Sequence, residues 1–281
     1  MTIAEALEWA VRRLQEASDS PRLDAEVLLA HALGTARSHL YAWPERELDA
    51  AAAQRAEALI GRRAEGVPVA YLTGRQEFWS LPLEVNEATL IPRPETELLV
   101  ELALARLPAA APCTVLDLGT GTGAIALAIA SERPLAAVTA VDVSSEALAV
   151  ARRNGTRLGL AVELLQGDWY APVGDRRFHL IAANPPYIGA DEPEPAQGDL
   201  RFEPRLALIA EDDGLAALRH IAAQAPLHLE SGGWLLVEHG YRQGAACRAL
   251  FATAGLHDVA TARDLQGHER VTLGRCPGTQ P

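Results

Sequence analysis

Two hydrophobic rhythms divide this chain. Over residues 1–73 the apolar positions recur every three or four residues, the period of amphipathic helices. Thr2-Ile3-Ala4-Glu5 has the spacing of a capping box, so a helix starts there and runs to about Ala17. Leu7, Val11 and Leu14 share one of its faces. Ser18-Asp19-Ser20-Pro21 breaks it, with Ser20 as cap of the next helix and Pro21 in its first turn. That helix is expected to turn Leu23, Val27, Leu28 and Ala32 inward and to stop at Gly34. A shorter helix over 38–43 ends at Pro44, and an alanine-rich one over 49–65 is closed by Gly66. Residues 1–73 therefore read as a small all-α bundle with no catalytic constellation of its own.

The rhythm then changes. Residues 76–79 and 83–86 read as short strands around Leu81-Pro82, which makes 74–90 a β-hairpin linker. Pro94 suits the first turn of a helix reaching Leu107, and Glu95 and Glu97 suit its dipole. From 91 to 281 strands and helices alternate. The strands are expected at 114–118, 137–142, 162–166, 178–183, 233–238, 258–262 and 270–273, and the helices at 122–132, 145–158, 214–228 and 242–253. This order predicts an α/β fold with a seven-stranded, Rossmann-like, mostly parallel sheet covered on both faces. The last two strands make its antiparallel edge. Residues 191–204 form a loop rich in prolines and acids, and 277–281 read as a frayed tail.

Composition narrows the class. Hydrophobic residues make up 49% of the 281, ample for a core, and the formal net charge is −12. All 25 basic residues are arginine. An acidic chain without a basic block is a poor general binder of nucleic acid, because phosphate neutralisation supplies most non-specific affinity. The doublets Arg12-Arg13, Arg62-Arg63, Arg152-Arg153 and Arg176-Arg177 are scattered and read as solvated faces. Cys113, Cys247 and Cys276 match neither a disulfide framework nor a zinc pattern, so no metal is expected. With acids from Glu5 onward there is no signal-peptide pattern, and no apolar run is long enough for a bilayer. A soluble cytoplasmic protein is the expectation.

Candidate chemistry clusters at strand ends. Asn184-Pro185-Pro186-Tyr187 follows the apolar run 178–183. Two prolines cannot continue a strand ladder, so the chain leaves the sheet rigidly there. The Asn184 carboxamide and the Pro185 carbonyl form a cradle suited to a planar NH2 group, with the Tyr187 ring to pack on it. Read alone, the same four residues also fit a plain strand-ending turn. Upstream, Val115 to Leu118 leads into Gly119-Thr120-Gly121-Thr122-Gly123 and an apolar helix. The glycines allow a tight turn and close approach of a ligand to the backbone, for a dinucleotide or for S-adenosylmethionine. Asp117 just before the loop suits the ammonium group of S-adenosylmethionine, directly or through water, and sits awkwardly beside a pyrophosphate. Asp142 ends the next strand, where an acid accepts ribose hydroxyls. Asp168-Trp169 brings a carboxylate and an indole near the adenine edge.

This set resembles the class I S-adenosylmethionine-dependent methyltransferases that act on amino nitrogens. Across Leu72 to Trp79, Leu90 to Glu97, Asn184 to Ile188 and Arg263-Asp264-Leu265 with Gly267 and Arg270, the chain is more specifically similar to the bacterial peptide chain release factor glutamine methyltransferases. The resemblance covers nearly the whole chain. It implies methyl transfer from S-adenosylmethionine to N5 of the glutamine in the Gly-Gly-Gln motif of class I release factors. It implies a cofactor site at Gly119 to Gly123, Asp142, Trp169 and Asn184, with Asn184 to Tyr187 receiving the glutamine. Arg93 and Thr96 stand at the start of the catalytic domain as further substrate residues; the plain alternative is that they anchor the helix there. Residues 1–73 then act as a substrate-recognition domain, in an enzyme expected to be a monomer. A related family acts on a ribosomal-protein glutamine, and DNA amino-methyltransferases share N-P-P-Y. The Arg93-Pro94-Glu95-Thr96 stretch looks more like the release factor family, and the extra domain is not evidently basic.

Overall fold

A computed structural model describes residues 1–193 and 198–278. Residues 279–281 of the expected frayed tail, and 194–197 of the expected loop, lie outside the described residues. The chain divides into two compact units, Met1–Arg75 with the short turn Gly198–Phe202, and the rest.

The first unit is helical: α1 (Ile3–Leu14), α2 (Pro21–Leu33), α3 (Arg37–Ala42), α4 (Ala50–Ala64) and α5 (Val69–Thr73). Both bonds of the capping box form, Thr2 N to Glu5 Oε2 at 2.8 Å and Glu5 N to Thr2 Oγ1 at 3.2 Å. Ile3, Leu7, Leu14, Leu28, Leu29 and Ile60 close the core. Three expectations change. Ser20 holds the cap position of α2 without a side-chain cap bond; its hydroxyl turns to Asp24 instead. Leu23 is 45% exposed, because the buried face of α2 carries Asp24 and Glu26. Arg63 is not on a solvated face. It is buried, with Nε 2.7 Å from Asp24 Oδ2 and Nη1 2.8 Å from Asp199 Oδ1. Glu26 in turn holds Arg22 and Arg37 and accepts from the Tyr41 hydroxyl. Burial of these carboxylates is tolerable because each has cations against it. The single-turn α5 was not expected from the sequence; it ends on Gly74 in the left-handed region.

The second unit opens with a hairpin, β1 (Arg75–Phe78) and β2 (Leu81–Glu84). Its turn is Trp79-Ser80, two residues before the expected Leu81-Pro82. Both have φ near +55° (53° and 58°), as a two-residue loop matched to strand twist requires. Pro82 lies inside β2, tolerated in a two-stranded ribbon. A 3-10 turn, Pro94–Thr96, leads into α6 (Glu97–Leu104), which stops three residues short of Leu107.

The rest alternates as the sequence predicts: β3 (Cys113–Leu118), α7 (Ala124–Glu132), β4 (Ala136–Asp142), α8 (Ser145–Leu158), β5 (Glu163–Gln166) and β6 (Phe178–Ala183). A small pair, β7 (Ile188–Gly189) and β8 (Ile209–Ala210), flanks α9 (Arg205–Leu208); none of the three was expected from the sequence. Then come α10 (Ala216–His228), β9 (Leu229–Glu238), α11 (Gly244–Thr253), β10 (His257–Arg263) and β11 (Glu269–Arg275). The seven-stranded sheet has the order β10-β11-β9-β6-β3-β4-β5, and only the contacts of β11 are antiparallel. Alternate residues of β3 serve opposite faces. Val115 packs with α6 and α7, and Leu116 with α10 and α11. Burial on both faces explains the continuous apolar runs of β3 and β6. Among the described residues no helix is long and apolar enough to cross a membrane.

Candidate active site

The strand order reverses between β3 and β6. From β3 the chain steps to β4 and β5 on one side, and β6 returns on the other. A crevice beyond the carboxyl ends of the strands opens at such a point. The glycine loop follows β3, Asp142 is the last residue of β4, and Asn184 follows the last residue of β6. They bound a cavity of ≈ 300 Å³ in this unit.

Gly119 and Gly121 adopt φ of 73° and 55°, a region that disfavours a Cβ. A Cβ on Gly121 would meet nothing within 4 Å, so the backbone there faces open space along the cavity. The loop is tied to the neighbouring strand end. Gly119 N and Thr120 N both donate to Val141 O, at 2.9 and 3.0 Å, and Gly121 N donates to Asp142 Oδ2 at 2.8 Å. Asp142 Oδ1 accepts from Ser144 N at 2.9 Å, and Ser144 Oγ caps α8. Burial pushes the Asp142 carboxyl up, against the pull of these N–H groups. Its oxygens keep lone pairs for further donors. Trp169 is held at φ 43°, a costly conformation for a bulky residue and of the kind found at functional sites.

Asp117 lies beneath the loop, fully buried. Its Oδ2 accepts from the Thr120 hydroxyl at 2.6 Å, while Oδ1 has no partner. Burial raises its carboxyl to about 7; the bonds from Thr120 and the Ala126 N–H oppose this, and the charge of Asp142 adds to it.

On the opposite wall Asn184 Nδ2 donates to Thr96 Oγ1 at 3.2 Å. Behind Thr96 stands Glu238, the last residue of β9 and 1% exposed. The Tyr187 hydroxyl lies 3.5 Å from Glu238 Oε1. Burial lifts the Glu238 carboxyl to about 7, opposed by the Thr96 hydroxyl and the charge of Arg270 and reinforced by Glu95. Thr96 favours the charged form without closing a tight bond, since Oε2 has no partner at hydrogen-bonding distance. Burial and the nearby Glu238 also push the Tyr187 phenol far up. Gln243 Nε2 donates to Tyr187 O at 3.0 Å and sets the backbone after the prolines.

Of the residues singled out in the sequence, Gly119, Gly121, Asp142, Asp168, Trp169, Asn184 and Pro186 share the cavity wall. Asp117 and Thr120 stand just behind it. Thr122 and Gly123 serve packing: the Thr122 carbonyl accepts from Asn154 Nδ2 at 3.0 Å, and a Cβ on Gly123 would meet Leu127 at 3.1 Å. Pro185 is buried, and Tyr187 and Thr96 back Asn184 rather than line the cavity. Arg93 is held by Glu203, which also accepts from Ile91 N at 3.0 Å, so this pair anchors the entry to the 3-10 turn. Sequence reasoning missed Glu238 and Glu203. The signal for Glu238 was present: it ends the apolar run Leu235-Leu236-Val237, as Asp142 ends its own strand.

Comparison with known proteins shows what the chain is similar to. Residues 5–74 match the family model of the PrmC N-terminal domain, and residues 95–196 that of the methyltransferase small domain. The release factor glutamine methyltransferase of Escherichia coli K12 is 53% identical over 270 residues, spanning 96% of this chain and 97% of that protein. The protein of the same description from Xylella fastidiosa strain Temecula1 is 56% identical over 258 residues, spanning 92% of this chain and 94% of its own. Among solved structures, a 16S rRNA N2 methyltransferase of Thermus thermophilus in complex with AdoMet and guanosine shares the fold. Its TM-score is 0.52 at 19% identity, covering 72% of this chain and 49% of that one.

Proposed function

The chain belongs to the release factor glutamine methyltransferase family, and on that premise we propose that it methylates the side-chain amide nitrogen of the glutamine in the Gly-Gly-Gln motif of class I peptide chain release factors. The observation that carries this reading is the orientation of Asn184. Its Nδ2 donates to Thr96, which leaves Oδ1 as an acceptor on a residue that lines the cavity. An acceptor held there suits a substrate that offers N–H groups.

The residues present fit S-adenosylmethionine. Gly121 leaves room for a ligand at the backbone, Asp142 has lone pairs for ribose hydroxyls, and the buried Asp117 Oδ1 lacks a partner beneath the loop. Asp168 and Trp169 complete the wall where an adenine ring would lie. Bound there, S-adenosylmethionine supplies an electrophilic methyl group on a sulfonium. Everything else falls to the protein. An amide nitrogen is a weak nucleophile, because its lone pair is delocalised into the carbonyl. Asn184 Oδ1 and the Pro185 carbonyl accept hydrogen bonds from its two N–H groups, favour the positive charge that develops on nitrogen, and fix its direction of attack. As the nitrogen–methyl bond forms the methyl–sulfur bond breaks, and one N–H proton then leaves to water. The two prolines keep these acceptors in place, so much of the rate comes from alignment. Tyr187, with its phenol kept neutral, backs the Asn184 wall without adding a charge there.

We assign recognition of the release factor to residues 1–73, and infer a cytoplasmic monomer that makes no direct contact with nucleic acid, in keeping with a net charge of −12. The test is to incubate the protein and labelled S-adenosylmethionine with an extract from cells lacking this enzyme, then identify the labelled residue. The expected label is on the glutamine of Gly-Gly-Gln in a class I release factor. Label confined to a ribosomal protein or to DNA overturns the proposal.

A further inference from the structure

A buried carboxylate that no step above uses stands two residues' reach behind the substrate acceptor. Thr96 Oγ1 receives the Nδ2 hydrogen of Asn184, so the threonine's own hydrogen must point elsewhere. The acceptor beside it is Glu238, whose carboxyl is 1% exposed and whose Oε2 has no partner at hydrogen-bonding distance, although the Thr96 hydroxyl favours its charged form. A carboxylate can only accept. With Glu238 ionised, the Thr96 hydrogen is drawn toward the carboxylate, and Thr96 accepts from Asn184. The carboxamide is then locked with Nδ2 inward and Oδ1 toward the cavity. If Glu238 carries a proton, the hydroxyl is free to donate to Asn184, and a flipped carboxamide then presents NH2 to a substrate NH2, which offers nothing to accept its hydrogens.

We propose that Glu238 is a positioning residue for methyl transfer, which acts through Thr96 to dictate which end of the Asn184 carboxamide meets the substrate. This rests on the reading of Asn184 as the amide acceptor. Tyr187, Arg270 and Glu95 face the same carboxyl from the chain after β6, from β11 and from the 3-10 turn. Of these, Arg270 favours its ionised form and Glu95 opposes it. Its carboxyl titrates at about 7, so the lock weakens as pH falls through that value.

The test uses the full-length protein with a class I release factor, comparing wild type, Thr96→Val, Thr96→Ser and Glu238→Gln. Thr96→Val is expected to lower kcat about tenfold or more, with S-adenosylhomocysteine affinity within about threefold of wild type, the mark of lost orientation rather than lost binding. Thr96→Ser keeps the hydroxyl and should restore kcat to within about threefold. In wild type kcat should fall on the acid side of about pH 7. Glu238→Gln should lower kcat at every pH and lose that acid limb, because its amide can both donate and accept. Thr96→Val at wild-type kcat overturns the proposal. So does a folded Glu238→Gln that keeps both the rate and the acid limb, and this variant decides alone if Thr96→Val does not fold. A wild-type protein that methylates no glutamine overturns the functional reading, and the positioning role with it.

Discussion

In the helical unit, Asp24 and Glu26 are buried with cations against them: Arg63 on one, Arg22 and Arg37 on the other. Burial alone would raise the Glu26 carboxyl, yet Tyr41, Arg22 and Arg37 together hold it low. In the methyltransferase unit, Asp117 and Glu238 are buried more deeply, at 0% and 1% exposure, and neither forms an ion pair among the described residues. Each keeps one oxygen without a partner, and burial drives both to about 7. Charge buried to hold a fold together is neutralised by the chain itself. Charge buried without a counter-ion costs stability, and it persists where a ligand or a fixed hydrogen-bond polarity needs it. On the proposed function, the first arrangement belongs to a scaffold and the second to a site.

The largest effect that could break this contrast is in the scaffold. Arg63→Leu leaves Asp24 buried without its partner and should cost about 3–5 kcal/mol, read by urea denaturation, with S-adenosylhomocysteine affinity unchanged. A cost below about 1 kcal/mol would show that the pair is no better closed than the site carboxylates. Next, Asn184→Ala should lower kcat by about 10²–10³, roughly 3–4 kcal/mol of barrier, the range for removing one preorganised hydrogen-bonding group. Turnover within about threefold of wild type would mean that the cavity wall does not orient the substrate. Asp142→Ala should weaken S-adenosylhomocysteine by about 1–3 kcal/mol, the span for hydrogen bonds to a charged group, measured by calorimetry. Unchanged affinity in a folded variant would remove Asp142 from the ligand site. The smallest effect is again in the scaffold. Thr2→Ala opens the capping box of α1 and should cost about 1 kcal/mol, without altering turnover.

What the sequence made legible follows from how local each signal is. The glycine loop, Asp142 and Asn184-Pro185-Pro186-Tyr187 each depend on a few adjacent residues and a strand end, so one stretch of chain announces them. The alternation of strands and helices is equally local, and all seven strands overlap the stretches it marks, with β9 starting four residues early at Leu229. Burial of Asp24 in place of Leu23 was not legible, because it depends on Arg63, thirty-nine positions away, and on Asp199 further still. The hairpin turn was misplaced because Trp79 and Ser80, neither a usual turn residue, take the left-handed conformation, while Pro82 drew the reading toward itself. The parts of Arg93 and Thr96 were only half visible. Their neighbours Glu203 and Glu238 come from distant segments, and these partners make one an anchor and the other the support of Asn184.

The contrast between scaffold and site is tested most directly by the unfolding free energy of ligand-free wild type and Asp117→Asn, from about pH 4 to well above 7. The folded carboxyl at about 7 lies above its ordinary 3.8. Its protonated form therefore favours folding at low pH, and that contribution is lost as pH rises through about 7. Wild type should fall steadily behind Asp117→Asn over this window, by about 4 kcal/mol in total, and then run parallel to it. The variant should bind S-adenosylhomocysteine more weakly throughout. If the two proteins keep a constant difference across the whole range, Asp117 is as well neutralised as the carboxylates of the helical unit, and the distinction drawn between the two regions is wrong.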